Sequence, residues 1–191
     1  MISESMNTKN SAIYCSILEQ HSDWYLVYKP EGVAMHRGGE NVAILDQLRE
    51  QGLGEKLYLV HRLDTPTSGL MLIARNAKAA ASLGALFEQH QIRKQYIAIA
   101  KGKPKKKQGL IAGDMEKSRR GSFRLLRSQD NPAITRFKSY ALDQGLRLYL
   151  LWPQTGKTHQ LRVACKSLSV PILGDLRYGD ASAQEDRMYL H

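Results

Sequence analysis

The stretch HRLDTPTSGLMLIAR, residues 61–75, packs His, Arg, Asp, Thr and Ser side chains directly ahead of an apolar run. Leu70 to Ala74 reads as a buried strand and residues 61–68 as the polar loop that enters it. Working outward, Lys56 to Val60 reads as a second strand before the loop. Asn76 is placed to cap an alanine-rich helix that runs to about Gln89. Upstream, residues 13–18 suggest a first strand. Asp23 to Lys29 is another, ended by Pro30 and Gly32, and Val42, Leu45 and Leu48 recur at helical spacing. Downstream, Gln95 to Ala100 is β-like, and Ala133–Leu142 and Leu146–Trp152 alternate about Gly145 as a hairpin. Thr158 is placed to cap a short helix through Ser167, and Pro171 opens a segment reaching Gly179. Strands follow one another and helices are few. The fold class is therefore α+β, with a mixed, mostly antiparallel sheet flanked by a few helices and loops rather than a doubly wound parallel core.

The chain has 191 residues and a formal charge of +10, with 42% hydrophobic and 24% charged residues. That balance excludes a disordered, collagen-like or coiled-coil chain. Cys15 and Cys165 belong to no CxxC pair and read as reduced core residues. The N-terminus lacks the basic and apolar regions of a signal peptide, residues 1–10 read as polar and frayed, and no apolar run reaches membrane-span length. A cytoplasmic protein is expected. The charge is concentrated: residues 101–127 hold ten basic and two acidic side chains, a net +8. One lysine run alone reads as a solvated loop, but with interspersed arginines and Phe123 it points to a nucleic acid.

On spacing alone, Asp64 beside Arg62 reads equally as a surface ion pair and as a catalytic carboxylate held near cations. His36, His61 and His159 have no partner ligand at helical spacing, so no metal is expected. Two further stretches are dense in polar residues beside glycine: KPEGVAMH (29–36), and GKTHQLRVACKSLSVPILGDLRYG (156–179).

Together these stretches resemble the RluA family of pseudouridine synthases. HRLDTPTSGL matches that family's HRLDxxTSGL motif, KPEGVAMH resembles its KPxGxxxH stretch, and RKQYIAIAKG (93–102) its tyrosine-bearing motif. The 156–179 stretch resembles GRTHQ(I/L)RxH…PIxGDxxYG. The order is kept from about residue 20 to the C-terminus. Lys157 stands where the family has Arg, and Ala164-Cys165 where it has His. Residues 1–19 read as an N-terminal extension with the first strand, and residues 20–191 as one catalytic domain with an active-site cleft, without the appended RNA-binding module of many relatives. Arg187-Met-Tyr-Leu-His191 resembles the family's RxxLH strand, beyond which relatives continue. The end is therefore read as either a natural short form or a truncation.

The resemblance implies isomerisation of uridine to pseudouridine in ribosomal RNA or tRNA, by a monomer without cofactor, metal or membrane. It makes Asp64 the catalytic aspartate, as nucleophile or as base at C2′, and Arg162 its cationic partner. Tyr96 and Leu161 match the residues against the two faces of the target uracil, and Arg62 the one that replaces the extruded base. Lys157, Arg37, Lys105, Lys106 and Lys107 are candidate contacts to the RNA backbone. The alternative is a non-catalytic RNA-binding protein that retains the fold. A small-molecule nucleosidase is disfavoured by the basic segment.

Overall fold

A computed structural model describes residues 14–38, 42–182 and 184–191. The segment 1–10 therefore lies outside the described residues. Ten strands and three α-helices are ordered β1 (Ser16–Gln20), β2 (Trp24–Lys29), α1 (Ile44–Glu50), β3 (Tyr58–Leu59), β4 (Gly69–Ala74), α2 (Ala77–Glu88), β5 (Tyr96–Lys101), β6 (Gln108–Gly113), β7 (Met115–Lys117), β8 (Phe123–Leu125), β9 (Ala133–Ala141), β10 (Leu146–Pro153) and α3 (Gln160–Ser167). The α+β class holds, and every ladder is antiparallel. The strands divide into two four-stranded sheets, β1-β2-β4-β3 and β5-β10-β9-β6, with β7-β8 as a separate ribbon. β1 spans the boundary expected at residue 19 and forms an edge of the first sheet.

Alternation produces each sheet. Along β2, Tyr25, Val27 and Lys29 point inward while Trp24, Leu26 and Tyr28 are half-buried on the other face. Val27 and Tyr25 pack with Ile44 and Leu48 of α1 and with Met71 and Ile73 of β4. Burying each such aliphatic side chain is worth roughly 1.5–3 kcal/mol. The second core gathers Ala98, Phe137, Tyr149 and Leu151 from its sheet with Leu161 and Cys165 from α3. The two thiols lie in different cores, both buried and free. Tyr96, at the start of β5, packs against both cores.

The Asn76 cap is realised: its side chain accepts from the Ala79 N–H at 2.8 Å and donates to Asp23 at 3.0 Å. The hairpin turn also forms as expected, with Gln144 and Gly145 both at positive φ. One expectation needs correction. Thr158 does not cap α3. His159 precedes it in the left-handed region at φ 57, and the Gln160 side chain instead accepts from the Lys157 N–H at 2.9 Å and the Thr155 hydroxyl at 2.7 Å. The Lys103–Lys107 loop forms as expected, and β6, β7 and β8, which the sequence reading did not call, follow it. Their signal is weak because β6 holds two glycines and the other two are three-residue strands.

The closing residues tie the halves together. Ile97 and His191 exchange backbone bonds at 2.7 and 2.9 Å, so residues 189–191 lie along the outer edge of β5. The Leu190 carbonyl also accepts from Ser68 N–H at 3.2 Å, at the entrance of β4. Gly174 makes this closure possible: at φ 74, a Cβ placed there meets the Arg187 carbonyl oxygen. Gly174→Ala is therefore expected to lower the thermal midpoint by several degrees, since both the backbone conformation and the space exclude a methyl group. Calorimetry of the two proteins checks this.

Candidate active site

Between the two sheets lies a cleft of about 560 Å³ whose walls include Asp64, Tyr96, Leu161, Arg162, Arg62 and Lys157. All five residues expected at the reacting uridine line it, as does Lys157. Arg37 and Lys105–Lys107 do not. Arg37 gives both guanidinium bonds to Asp46 beside α1, at 2.7 and 2.9 Å. The lysine run follows the end of β5 remote from Tyr96, at least roughly 15 Å along the strand.

The loop carrying Asp64 is held from three sides. Lys29, fully buried, donates from Nζ to the carbonyls of Pro30 and Val33 at 2.9 Å and of Thr65 at 3.1 Å. Burial pulls its pKa down to about 8. Gly32 N–H donates to the same Thr65 oxygen at 2.9 Å, and the Thr67 N–H closes a turn on the Asp64 carbonyl at 2.9 Å. The far end is fixed by Ser68, whose hydroxyl accepts from Arg187 at 2.7 Å. The near end is fixed by His61. Its ring stacks on Phe87 of α2 with centroids 4.3 Å apart, and its Nε2 accepts from Leu72 N–H at 3.0 Å. His61 must be neutral to accept there, and burial, aided by nearby Lys94, lowers its pKa to about 4. The first residue of the motif is thus a brace.

Asp64 projects from this loop towards α3. Its Oδ2 lies 3.4 Å from Arg162 Nη1 and 4.0 Å from His159 Nε2. Arg162 is itself clamped: Nε and Nη2 each donate at 2.8 Å to the two oxygens of Asp175, which is 2% exposed. Burial opposes the charge on both groups. The pairing outweighs it, holding Asp175 below the usual carboxylate range and Arg162 above the usual arginine one. Asp175 Oδ1 also accepts from Arg177 and Tyr178 N–H, at 3.0 and 3.1 Å. Both oxygens of Asp175 are therefore engaged within the protein, whereas Asp64 faces the cleft.

His159 completes the wall. The Tyr178 hydroxyl accepts from Phe123 N–H at 2.9 Å and lies 2.8 Å from His159 Nδ1, free to donate its own hydrogen there. Burial lowers the His159 pKa, and a neutral ring accepting the Tyr178 hydrogen at Nδ1 would present its N–H from Nε2, the nitrogen nearest Asp64. Burial, and then the Asp64 charge, raise the Tyr96 phenol to about 12, so it stands in the cleft as a neutral hydroxyl. Leu161 is buried opposite, and Lys157 on the rim donates to Asn131 at 2.6 Å. Arg62 is exposed on the rim and makes no side-chain hydrogen bond among the described residues. Sequence reading missed His159, Tyr178 and Lys29 as parts of this assembly. It quoted the GDLRYG segment without seeing that Asp175, thirteen residues from Arg162, would clamp it.

A family model described as RNA pseudouridylate synthase matches residues 23–167. The chain belongs to that family. Membership makes it an isomerase of uridine and makes RNA its partner. It is 51% identical to an RNA pseudouridine synthase of Haemophilus influenzae over 92% of this chain and 78% of that one. It is 37% identical to the ribosomal large subunit pseudouridine synthase C of Rickettsia bellii, over 87% of this chain and 61% of that one. The human RNA pseudouridylate synthase domain containing 1 superposes with a TM-score of 0.79 at 29% identity, covering 96% of this chain and 78% of that one. No described helix is long and apolar enough to cross a membrane.

Two outcomes are expected from this geometry. His61 stays neutral in the fold down to about pH 4, whereas the unfolded chain protonates it below about 6.5. The unfolded state then binds more protons, so stability falls as pH drops through that window, by up to about 1.4 kcal/mol per pH unit. His61→Gln should flatten this limb in denaturant titrations at several pH values. Asp175→Asn strands the Arg162 charge and should cost about 3–5 kcal/mol. It should also lower single-turnover rate with far less effect on RNA affinity, measured above the variant's folding threshold.

Proposed function

We propose that this enzyme acts with Asp64 as its catalytic carboxylate, on a uridine turned out of its RNA stack into the cleft. The observation that carries the reading is the Asp64–Arg162–Asp175 line: one carboxylate open to the cleft at 3.4 Å from a guanidinium that a second carboxylate holds rigidly. A cation so fixed aims Asp64 at the sugar. Attack at C1′ or proton removal at C2′ both use a carboxylate in that place. The N1–C1′ bond breaks, the uracil turns, C5 bonds to C1′, and the C5 proton leaves as N1 gains one. Composition and connectivity are otherwise unchanged, so no cofactor is called for.

Tyr96 and Leu161 face the cleft from different elements and suit the two faces of the flipped base. Stacking on the phenol is worth roughly 1–3 kcal/mol. The neutral Tyr96 hydroxyl is suited to donate a proton rather than to act as a phenolate base. Arg62, exposed and without a side-chain hydrogen bond among the described residues, suits the gap left in the RNA stack. Lys157 suits a phosphate at the rim. The catalytic unit so defined includes β1 and the closing residues 189–191, consistent with a single domain over residues 20–191 joined by the first strand. The target is a ribosomal RNA or tRNA uridine, and the Rickettsia relative's name favours the large ribosomal subunit.

A non-catalytic RNA-binding role is not favoured, because binding alone gives no use for a carboxylate held by a clamped guanidinium and pointing into the cleft. Asp64→Asn is expected to abolish tritium release from C5-labelled uridine RNA while changing RNA affinity less than a few-fold, since phosphate contacts supply most binding. Turnover persisting in this variant would move the chemistry to another group.

A further inference from the structure

Besides the Arg162–Asp175 clamp, one more side chain faces the carboxylate of Asp64. His159 Nε2 lies 4.0 Å from Oδ2, the same oxygen that Arg162 Nη1 approaches at 3.4 Å. Among the described residues Oδ1 has no such neighbour. The two contacts therefore divide the carboxylate into a held oxygen and an open one. At 4.0 Å the imidazole stops about 1 Å short of a hydrogen bond. Contacts of this kind at reacting groups often tighten only when substrate is bound.

The surroundings of His159 hold it in that place. Its backbone is left-handed at φ 57 directly ahead of α3, a conformation that asparagine adopts more readily than most residues. The rings of Phe123 and Tyr178 stand nearly perpendicular to the imidazole, with centres 5.6 and 5.7 Å away. Phe123 N–H donates to the Tyr178 hydroxyl oxygen at 2.9 Å, and His159 Nδ1 is the acceptor that this hydroxyl meets, at 2.8 Å. Arg177 ties the same segment to the turn before β8, donating to the Gly121 carbonyl at 2.8 Å. Burial, the largest influence on the ring, disfavours its charged form. The Arg162 and Arg177 charges act in the same direction, and Asp64 and Asp175 act against it.

We propose that His159 is a positioning residue for Asp64: Tyr178 fixes the ring with its hydrogen on Nε2, and that N–H closes on Oδ2 beside Arg162 once uridine is bound. Oδ1 is then the oxygen left to meet the sugar. The inference rests on the reading of Asp64 as the catalytic carboxylate. Two donors on one oxygen fix the plane of the carboxylate, which a single guanidinium nitrogen at 3.4 Å does not. The line from Phe123 N–H through Tyr178 to His159 also fastens β8 to the reacting group.

Single-turnover tritium release from C5-labelled RNA of cells lacking this enzyme, with RNA affinity measured separately, tests the assignment. His159→Asn suits the left-handed backbone but is too short to reach Oδ2. It should lower the rate roughly a hundredfold, as about 1 Å of misplacement does, and change affinity less than about threefold. His159→Gln suits the backbone less well, yet carries an amide N–H to the place of Nε2, and should recover most of the lost rate. An Asn variant as fast as the Gln variant, or affinity falling as far as rate, would overturn the proposal. Nitrogen-15 spectra of the histidine rings, with His159 assigned by its loss in His159→Asn, should show hydrogen on Nε2 in the parent protein and a shift towards Nδ1 in Tyr178→Phe. Hydrogen on Nδ1 in the parent, or an unchanged spectrum in Tyr178→Phe, would also overturn it. If Tyr178→Phe does not fold, the parent spectrum and the two His159 variants decide. The spectrum is read apart from turnover, so an Asp64→Asn protein that still converts uridine would overturn the reading of Asp64 while the ring's orientation is decided independently.

Discussion

The site is organised around one guanidinium between two carboxylates. Arg162 is buried, and a lone buried cation would be strongly destabilising. Asp175 removes that difficulty with two parallel bonds and is itself held by two backbone N–H groups of the turn that follows it. The geometry of Arg162 is therefore settled before substrate arrives. Its third nitrogen is left to face Asp64 at the longer distance of 3.4 Å. The uneven sharing has a consequence: a carboxylate fully engaged by arginine would be a poor nucleophile or base, whereas Asp64 is oriented without being consumed.

The same division between bracing and acting runs through the Asp64 loop. His61, Thr67 and the incoming Lys29 turn polar groups to backbone, and Ser68 turns its hydroxyl to the closing segment at Arg187, Leu190 and His191. Each satisfies an atom that a buried loop would otherwise leave unpaired. Arg62 and Asp64 turn their charged groups outward to the cleft. The loop bridges two cores that touch through Tyr96 and the closing strand, so the cleft's width depends on contacts between residues far apart in sequence: Ser68 with Leu190, Ile97 with His191.

Local patterns made much of this legible. Asn76 before an alanine-rich run, and two alternating stretches about Gly145, carry their structure within a few residues. Arg62 and Asp64 were also readable, because they sit in a stretch whose polar density a core strand would not tolerate, whereas Tyr96, Leu161 and Arg162 were reached only through the family resemblance. What could not be read depends on long-range pairing. Nothing local marks Asp175 as the partner of Arg162, or Tyr178 as the partner of His159. Lys29 reads as an exposed strand end until three carbonyls close around it. The capping of α3 was misread for a related reason: Thr158 has the right chemistry, but the Gln160 side chain takes the donors of Thr155 and Lys157 and turns the entry left-handed at His159.

The distribution of charge completes the picture. Sequence reading located an excess of cations in residues 101–127, yet the cations that line the cleft, Arg62, Lys94, Lys157 and Arg162, all come from outside it. The basic segment instead becomes a loop and three strands along one side of the second sheet. Phe123 of β8 nonetheless stands edge-on to His159, and its N–H bonds the Tyr178 hydroxyl, so the basic segment reaches the cleft wall at one end while its lysine loop lies at the far end of β5. Electrostatic attraction acts over about a Debye length, roughly 8–10 Å in physiological salt, so a polyanion is felt by the whole of this surface. Chemistry is confined to contact, and the candidate carboxylate Asp64 lies in the cleft. β5 and β10 run from that cleft to the lysine loop, so a rigid sheet, rather than a flexible linker, sets the distance between the two.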